Sequence, residues 1–466
     1  MLTLPFGRKS ARRRTRRRSV TLKNVFWMGR ALSIILCLTA CARPPIETGP
    51  PNILLVSIDA LRADHLSCYG YDRHTSPVLD GLAAQGTRFS RAFVNTHGTP
   101  PSHTTLLASL YQESHRVGIE SDHVTGWSIP SGIAMVQEVF ADAGWHTVAV
   151  TGGGNMSGKF GFSRGFEEYV DLARDVDQGV ERLLEQLRGP VDDGRPVFAF
   201  FHTYEVHSPY HPPVGFRKLF GDHKGNVRAT SKALLKIQTE AGKVLTREDF
   251  EYLESLYDGE IRYTDQVLGR LLMSLEAIGF LDNAVIVVTA DHGEEFGEHG
   301  GVLHGGKLFD ELLHVPLIIS GAGVDQGIVD PALVSLIDVA PTVLSLAGLE
   351  IPDAMEGRSV FDRPPLERWQ DQRVFAQYSD QLYCVRTPRW KLIQRTSNQR
   401  VRLYDLHRDP GEQRNLSAKR PELSAALLAE LEEWRIRRPR LDLGSRPEVE
   451  LSQEMLEELK ALGYVE

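Results

Sequence analysis

The sequence predicts an α/β fold: a mostly parallel central sheet with helices on both faces, followed by a smaller α+β subdomain. Three observations predict it. Near-continuous apolar runs recur along the chain, the mark of strands buried on both faces. Stretches with apolar residues spaced three and four apart lie between them. Strand and helix patterns therefore alternate, which is how parallel sheets are built.

Taken in order, the chain opens on an address. Arg8 to Arg18 holds eight Lys/Arg in eleven positions, read as a nucleic-acid arm, a solvated tail or the basic flank of a leader. The apolar run Ala31–Ala40 (A-L-S-I-I-L-C-L-T-A) decides for the leader. It is too short to span a bilayer, which takes about 20 residues, and has the length of a signal-peptide apolar region. Leu38-Thr39-Ala40-Cys41 resembles the lipobox of bacterial lipoproteins. That resemblance implies an exported protein held to a membrane, on its periplasmic or outer face, through an acylated Cys41. A chance match in a leader cleaved elsewhere exports the protein as well. Met28-Gly29-Arg30 offers a second start. Residues 1–41 are thus signal and lipobox, and residues 42–51, with Pro44, Pro45, Pro50 and Pro51, a stiff tether.

Asn52–Asp59 is the first strand. Similar runs follow at Thr147–Thr151, Val197–Phe201, Ala284–Thr289 and Pro316–Ser320. Helical spacing marks Ser131–Ala143, Asp177–Leu187, Asp249–Ile278 and Leu333–Ala347. The chain turns polar and proline-containing around Asp362–Gln372, which divides a domain over residues 52–365 from a subdomain over 366–466. In the latter, Tyr383–Gln394 and Val401–Leu406 read as antiparallel strands and Pro421–Arg437 as a helix.

The composition fits. Of 466 residues 42% are hydrophobic and 24% charged, which excludes disorder, collagen and a multi-span membrane protein. Residues 1–40 carry ten Lys/Arg and no Asp/Glu, leaving 43 basic against 61 acidic residues beyond them. An acidic body argues against nucleic acid as a partner. Four cysteines in so long a chain make no disulfide scaffold. Cys68 and Cys384 read as small hydrophobes, with pairing left open.

Ligands of open parallel sheets gather at the carboxyl ends of strands. Asp59 closes the first strand, Asp291 and His292 follow the Ala284–Thr289 strand, and His202, Glu205 and His207 follow Val197–Phe201. Each alone is weak evidence; together they offer carboxylate and imidazole donors from rigid elements to one edge, as a metal site requires.

These residues lie in segments that carry a family resemblance: N-I-L-L-V-S-I-D-A-L-R-A-D-H-L at Asn52–Leu66, T-P-P-S-H-T-T-L-L-A-S-L-Y at Thr99–Tyr111, H-T-Y-E-V-H-S-P-Y at His202–Tyr210, V-V-T-A-D-H-G-E-E-F-G-E-H-G-G at Val287–Gly301, and R-W-K-L-I at Arg389–Ile393 with L-Y-D-L at Leu403–Leu406. From about Pro51 to Glu466 the chain resembles the sulfatase family of the alkaline phosphatase superfamily. The resemblance implies a divalent metal, calcium in most sulfatases, on Asp59, Asp291, His292 and Thr99. The Asp-His pair looks more like the phosphatase and phosphodiesterase branches, where imidazole suits zinc or manganese. It places the nucleophile at Thr99, where sulfatases carry a Cys or Ser converted to formylglycine, and places His103 where their motif has Arg. Threonine cannot give that aldehyde, yet a metal-bound threonine oxygen is a competent nucleophile. Thr99 and Ser102 also read as caps of the helix that Pro100-Pro101 introduces.

His207 matches the family's leaving-group histidine and is expected as general acid, or as a metal ligand beside Glu205. His304 stands where sulfatases usually place a lysine on the sulfate, and Lys307, three residues on, reads either as a supplier of the missing charge or as a solvated loop lysine. Ser157-Gly158-Lys159-Phe160 is too poor a copy of the family's Gly-Lys-x-His segment to carry over. Trp390 and Tyr404 read as packing residues. The expected function is hydrolysis of an anionic sulfate or phosphate ester through Thr99. The alternatives are a transferase with the same Thr99 intermediate and a non-catalytic binding lipoprotein.

Overall fold

The computed structural model describes residues 49–464 apart from 120–126, 173, 222–224, 240–244, 363–370, 440 and 448. The leader, the Leu38–Cys41 box and residues 42–48 lie outside them. Fifteen strands are described: β1 Asn52–Ile58, β2 Gly86–Phe93, β3 His146–Thr151, β4 Glu168–Asp171, β5 Val197–Thr203, β6 Ala284–Thr289, β7 Glu295–Phe296, β8 Val302–Leu303, β9 His314–Val315, β10 Leu317–Gly321, β11 Ile328–Ser335, β12 Val374–Tyr378, β13 Leu382–Arg386, β14 Trp390–Arg395 and β15 Arg400–Asp405. The helices are α1 Pro77–Ala84, α2 Thr99–Ala108, α3 Gln112–His115, α4 Val136–Asp142, α5 Val176–Asp192, α6 Ser231–Thr239, α7 Arg247–Ala277, α8 Asp310–Leu313, α9 Val339–Leu346, α10 Pro421–Ile436 and α11 Gln453–Leu462.

The large sheet runs β11-β2-β10-β6-β1-β5-β3-β4, with β9 paired to β2. It is parallel except at β9 and β10. The three apolar runs that the sequence offers most clearly, β1, β5 and β6, are its centre, buried almost end to end. Helices α1, α5 and α7 pack among themselves, as do α2, α4 and α9, giving the two helical layers that the alternation implies. Register fixes the site: Ser57 of β1 lies beside His202 of β5 and Thr289 of β6, so the carboxyl ends of all three strands finish level.

The smaller sheet, β12-β13-β14-β15, is wholly antiparallel. Its inner face and α10 share a second apolar cluster of Tyr383, Val385, Leu392, Leu403, Leu427, Leu431 and Trp434. Tyr404 and Trp390 pack as expected. Beneath it a fully buried Lys391 binds Asp310 at 2.8 Å and Glu412 at 2.9 Å.

Several expected boundaries move. The expected strand Tyr383–Gln394 is two strands, because Thr387 and Pro388 turn the chain. The Thr387 N–H donates to the Trp390 carbonyl at 2.8 Å, and its hydroxyl accepts from Trp390 N–H at 2.8 Å. The expected helix Ser131–Ala143 starts only at Val136. Residues 131 and 132 give their N–H groups to the Ser445 and Leu443 carbonyls, and Glu138 returns to cap Met135 N–H. The expected helix Leu333–Ala347 begins as strand β11, passes through a 3₁₀ turn and becomes helical at Val339. Cys68 and Cys384 are free thiols. Among the described residues no helix is long and apolar enough to cross a membrane.

Candidate active site and metal centre

Asp59 follows β1, and Asp291 and His292 follow β6. All three are fully buried. Each is held by one atom and leaves another. Asp59 Oδ2 accepts the Thr99 hydroxyl at 3.2 Å and faces His202 Nε2 at 3.4 Å. His202 Nδ1 accepts from Gly152 N–H, so its proton is on Nε2 and points at Asp59. Asp291 Oδ1 accepts the N–H groups of Ala60 at 3.2 Å and His292 at 3.0 Å. His292 Nδ1 donates to the Gly293 carbonyl at 2.9 Å, and although burial opposes it, Asp291 and Asp59 push this imidazole up, so Nε2 faces the two carboxyls. What remains is Asp59 Oδ1, Asp291 Oδ2 and His292 Nε2, none with a hydrogen-bond partner. One donor atom from each residue lies within 4.8 Å of the others. His292 Nε2 is 3.7 Å from Asp59 Oδ1 and 3.4 Å from Asp291 Oδ2.

Burial pushes both carboxyl groups up, and for Asp291 the charge of Asp59 adds to it. Two facing carboxyls in a dry pocket are costly without a counter-charge. Two oxygens and an imidazole nitrogen, each oriented by a hydrogen bond on its other atom, fit a divalent cation. The residues present therefore suit the metal that the strand ends lead one to expect.

Thr99 opens α2. Gly98 precedes it with φ 97° and ψ 133°, a conformation essentially restricted to glycine. Pro100 and Pro101 bring no N–H to the first turn, where such groups would go unpaired. The structure shows the Thr99 hydroxyl on Asp59 and the Ser102 hydroxyl on the Asp291 carbonyl at 2.6 Å. Thr99 ties α2 to the Asp59 carboxylate and Ser102 ties it to the Asp291 backbone, and neither serves as the helix cap that the sequence also allowed. His103 does not stand in for an arginine. Burial pushes it down to about 3, so it is neutral. Its Nδ1 donates to the Thr99 carbonyl at 2.9 Å, and its Nε2 accepts from the Ser57 hydroxyl at 2.9 Å.

His207 and His304 join the same site. The His304 ring lies 4.2 Å from that of His292 and 5.0 Å from that of His207, with Nδ1 held by buried Glu294 at 3.1 Å. His207 Nδ1 donates to the Ser208 carbonyl at 2.6 Å. Burial, then His304, pushes this imidazole well down, so Nε2 is an acceptor at the cleft, 3.4 Å from the Tyr464 hydroxyl. Glu205 is not beside the donor set: its carbonyl accepts from Arg174 and its carboxylate from Val176 N–H. Lys307 supplies no charge here either, since it neutralises buried Glu295 at 2.5 Å. Lys159 reaches the Met455 sulfur instead.

A cleft of about 300 Å³ opens over Thr99, bounded by His97, Asn155, His207, His304 and Tyr378. Sequence reasoning missed Tyr464, whose hydroxyl is 2.8 Å from Thr99 Oγ1. No spacing or strand end points to a tyrosine 365 positions away.

Comparison with known proteins identifies the family. Residues 51–349 match the family described as Sulfatase, and residues 297–437 match the C-terminal region of N-sulphoglucosamine sulphohydrolase. An arylsulfatase of Clostridium perfringens is 24% identical over 440 residues, covering 78% of this chain and 90% of its own. Arylsulfatase K of Bos taurus is 28% identical, with 83% and 82% covered. Among solved structures, the phosphonate monoester hydrolase of Silicibacter pomeroyi superimposes with a TM-score of 0.70 at 20% identity, covering 84% of this chain and 96% of that one. This chain belongs to the sulfatase family of the alkaline phosphatase superfamily, a family of sulfuric ester hydrolases.

Proposed function

We propose that this sulfatase-family ester hydrolase works through Thr99, on an anionic ester, with a divalent cation held by Asp59, Asp291 and His292. The observation that carries the reading is the Thr99 hydroxyl, fixed at the mouth of α2 3.2 Å from the carboxylate whose other oxygen is unpartnered. A cation bound there supplies electrostatic stabilisation to charge on the transferring group. The chain supplies the rest. Asp59 Oδ2 and His202 hold the attacking oxygen and its carboxylate in one orientation. His103 and Ser102 clamp α2 so that Thr99 sits at the cleft wall. His304 presents an imidazole edge where an anion oxygen would lie.

His207 is the leaving-group acid. Its Nε2, 3.4 Å from the Tyr464 hydroxyl, lies at the cleft, and an approaching anion favours the charged imidazole. Thr99 Oγ1 forms a bond to the sulfur or phosphorus while the bond from that atom to the ester oxygen breaks. Water then hydrolyses the Thr99 ester. A threonyl ester lacks the second hydroxyl by which formylglycine expels sulfate. We therefore infer a preference for a phosphate ester or diester, and for zinc or manganese over calcium.

The test is a panel of aryl sulfate, phosphate monoester, phosphodiester and phosphonate substrates, each assayed with calcium, zinc and manganese. A phosphate ester or diester is expected to turn over fastest. Faster aryl sulfate cleavage would overturn the choice of ester. Location is proposed with it: Cys41 anchors the exported protein by acylation, and Cys41→Ala should move it from the membrane fraction to the soluble one or leave it unprocessed. Wild type found soluble with its leader intact would refute the anchor.

A further inference from the structure

The cleft over Thr99 is lined by two kinds of surface. Thr99, His207 and His304 belong to the polar part. Much of the rest is apolar and is assembled from separate elements: Pro100 from the first turn of α2, Trp127 ahead of α4, Leu235 from α6, Leu303 from β8, Tyr378 from the end of β12 and Leu462 from the end of α11. Packing behind the lining holds these groups in place. Trp127 stacks on Phe160 with ring centres 4.1 Å apart, and Tyr378 lies flat on His97 at 4.5 Å. Leu462 is set by the docking of α11, whose Met455 and Leu459 are also buried. Gln112, Ser208 and Ser231 line the cleft too, but they are engaged within the protein. Gln112 accepts from the Thr96 hydroxyl at 3.0 Å and donates to the Val117 carbonyl at 3.0 Å. The Ser208 and Ser231 hydroxyls lie 3.2 Å apart, and Ser231 donates to the Ala461 carbonyl at 3.4 Å.

We propose that this apolar lining is a subsite for an alkyl or aryl arm of the substrate, and that the substrate carries a single negative charge: among phosphates, a diester and not a monoester. This rests on the reading of Thr99 as nucleophile, since Thr99 fixes where the transferring group lies in the cleft. Two physical arguments carry the proposal. The first is the match of the arm to the wall. An apolar arm withdrawn from water by Pro, Leu and Trp side chains gains about fourfold in affinity per methylene. A sugar arm would bring hydroxyls to the same walls, and a buried hydroxyl left without a partner costs about tenfold. The second is charge. A divalent cation on Asp59 and Asp291 is balanced by those two carboxylates. No Lys or Arg is among the described residues lining the cleft, so the second charge of a monoester would meet no cationic side chain among them. An esterified oxygen in its place removes that charge and adds the arm that the lining accepts.

The test compares 4-nitrophenyl phosphodiesters whose second arm is methyl, butyl or phenyl with doubly charged 4-nitrophenyl phosphate and with a 6-sulfated N-acetylglucosamine, all on the full chain with one metal. From methyl to butyl, kcat/KM should rise about fourfold per methylene, and the butyl and phenyl diesters should exceed the monoester. Leu235→Lys, which adds an ammonium to the lining from half-buried α6, should narrow the gap between monoester and phenyl diester by about tenfold. Leu235→Gln, polar but uncharged, should not narrow it through the monoester. A flat chain-length series, a monoester faster than the diesters, the sulfated sugar as best substrate, or a gap that Leu235→Lys leaves unchanged would overturn the proposal. Competitive inhibition by dibutyl phosphate against dimethyl phosphate reads the subsite with no bond broken, and the dibutyl ester should bind tighter. If Thr99→Ala still turns over the diesters, the nucleophile reading falls. If dibutyl phosphate inhibits no better than dimethyl phosphate while Thr99→Ala is inactive, the subsite alone is wrong.

Discussion

Replacing Asp291 by Asn should move metal affinity and metal-free stability in opposite directions. In the wild type, Oδ1 of Asp291 accepts two backbone N–H groups, and Oδ2 lies 3.4 Å from His292 Nε2 without a partner. An asparagine that keeps the two backbone bonds must turn its NH₂ toward His292 Nε2. It then donates to the lone pair a cation would need, and the site loses one negative charge. Losing a ligand or its orientation costs about 10–100-fold in affinity, or about 1.4–2.8 kcal/mol. The metal-free protein gains, because burial pushes Asp291 up and Asp59 adds to it. Removing one of two facing buried carboxyls relieves that repulsion. The assay is thermal unfolding of chelator-treated wild type and variant across a metal titration. Metal should raise the wild-type melting temperature more, at lower concentration, while the metal-free variant should melt no lower than metal-free wild type. An unchanged metal midpoint, or a metal-free variant that melts below wild type, would refute the reasoning.

Acid sensitivity follows from His115, which is fully buried and pushed down to about 3 by burial. Its Nδ1 accepts from Val117 N–H and its Nε2 meets the Thr105 hydroxyl. The unfolded chain binds this proton more readily. Stability should therefore rise with pH from about 3 to the usual histidine range near 6.5, by up to about 1.4 kcal/mol per pH unit, and be lost as pH falls through it. Urea unfolding of His115→Gln should show a flatter pH slope; an identical slope would remove this histidine from the account. Lys391→Met should destabilise by about 3–5 kcal/mol, since it leaves Glu412 buried without its cation. Adding Glu412→Gln should recover most of that in urea unfolding, and failure to recover would mean that packing, not charge, is lost.

What was legible in the sequence is what strand ends carry. Asp59, Asp291 and His292 could be placed together because buried parallel strands bring their carboxyl ends level, whatever the loops do. His207 and His304 were reached through local segments of the family pattern, and the structure brings both to the same cleft. Lys307 stayed open between a site charge and a solvated loop lysine, because nothing in the sequence reveals that buried Glu295 claims it. Arg386, Thr387, Pro388 and Arg389 hid a strand turn inside an otherwise apolar stretch. Leu333–Ala347 fits strand and helix periods over its first residues, so pattern alone could not divide β11 from α9. Tyr464 was illegible for a different reason: its place depends on where α11 docks, a long-range packing outcome carried by Met455, Leu459 and Leu462.

The central claim is that Thr99 forms the bond to the transferring group while Asp59, Asp291 and His292 hold the metal independently of it. The direct measurement is turnover by Thr99→Ala on the best wild-type substrate, with bound metal determined by elemental analysis on the same sample. Turnover should vanish while the metal content stays near that of wild type, and Thr99→Ser should restore part of the rate because the hydroxyl returns. Turnover by Thr99→Ala at the wild-type rate would contradict the covalent mechanism outright.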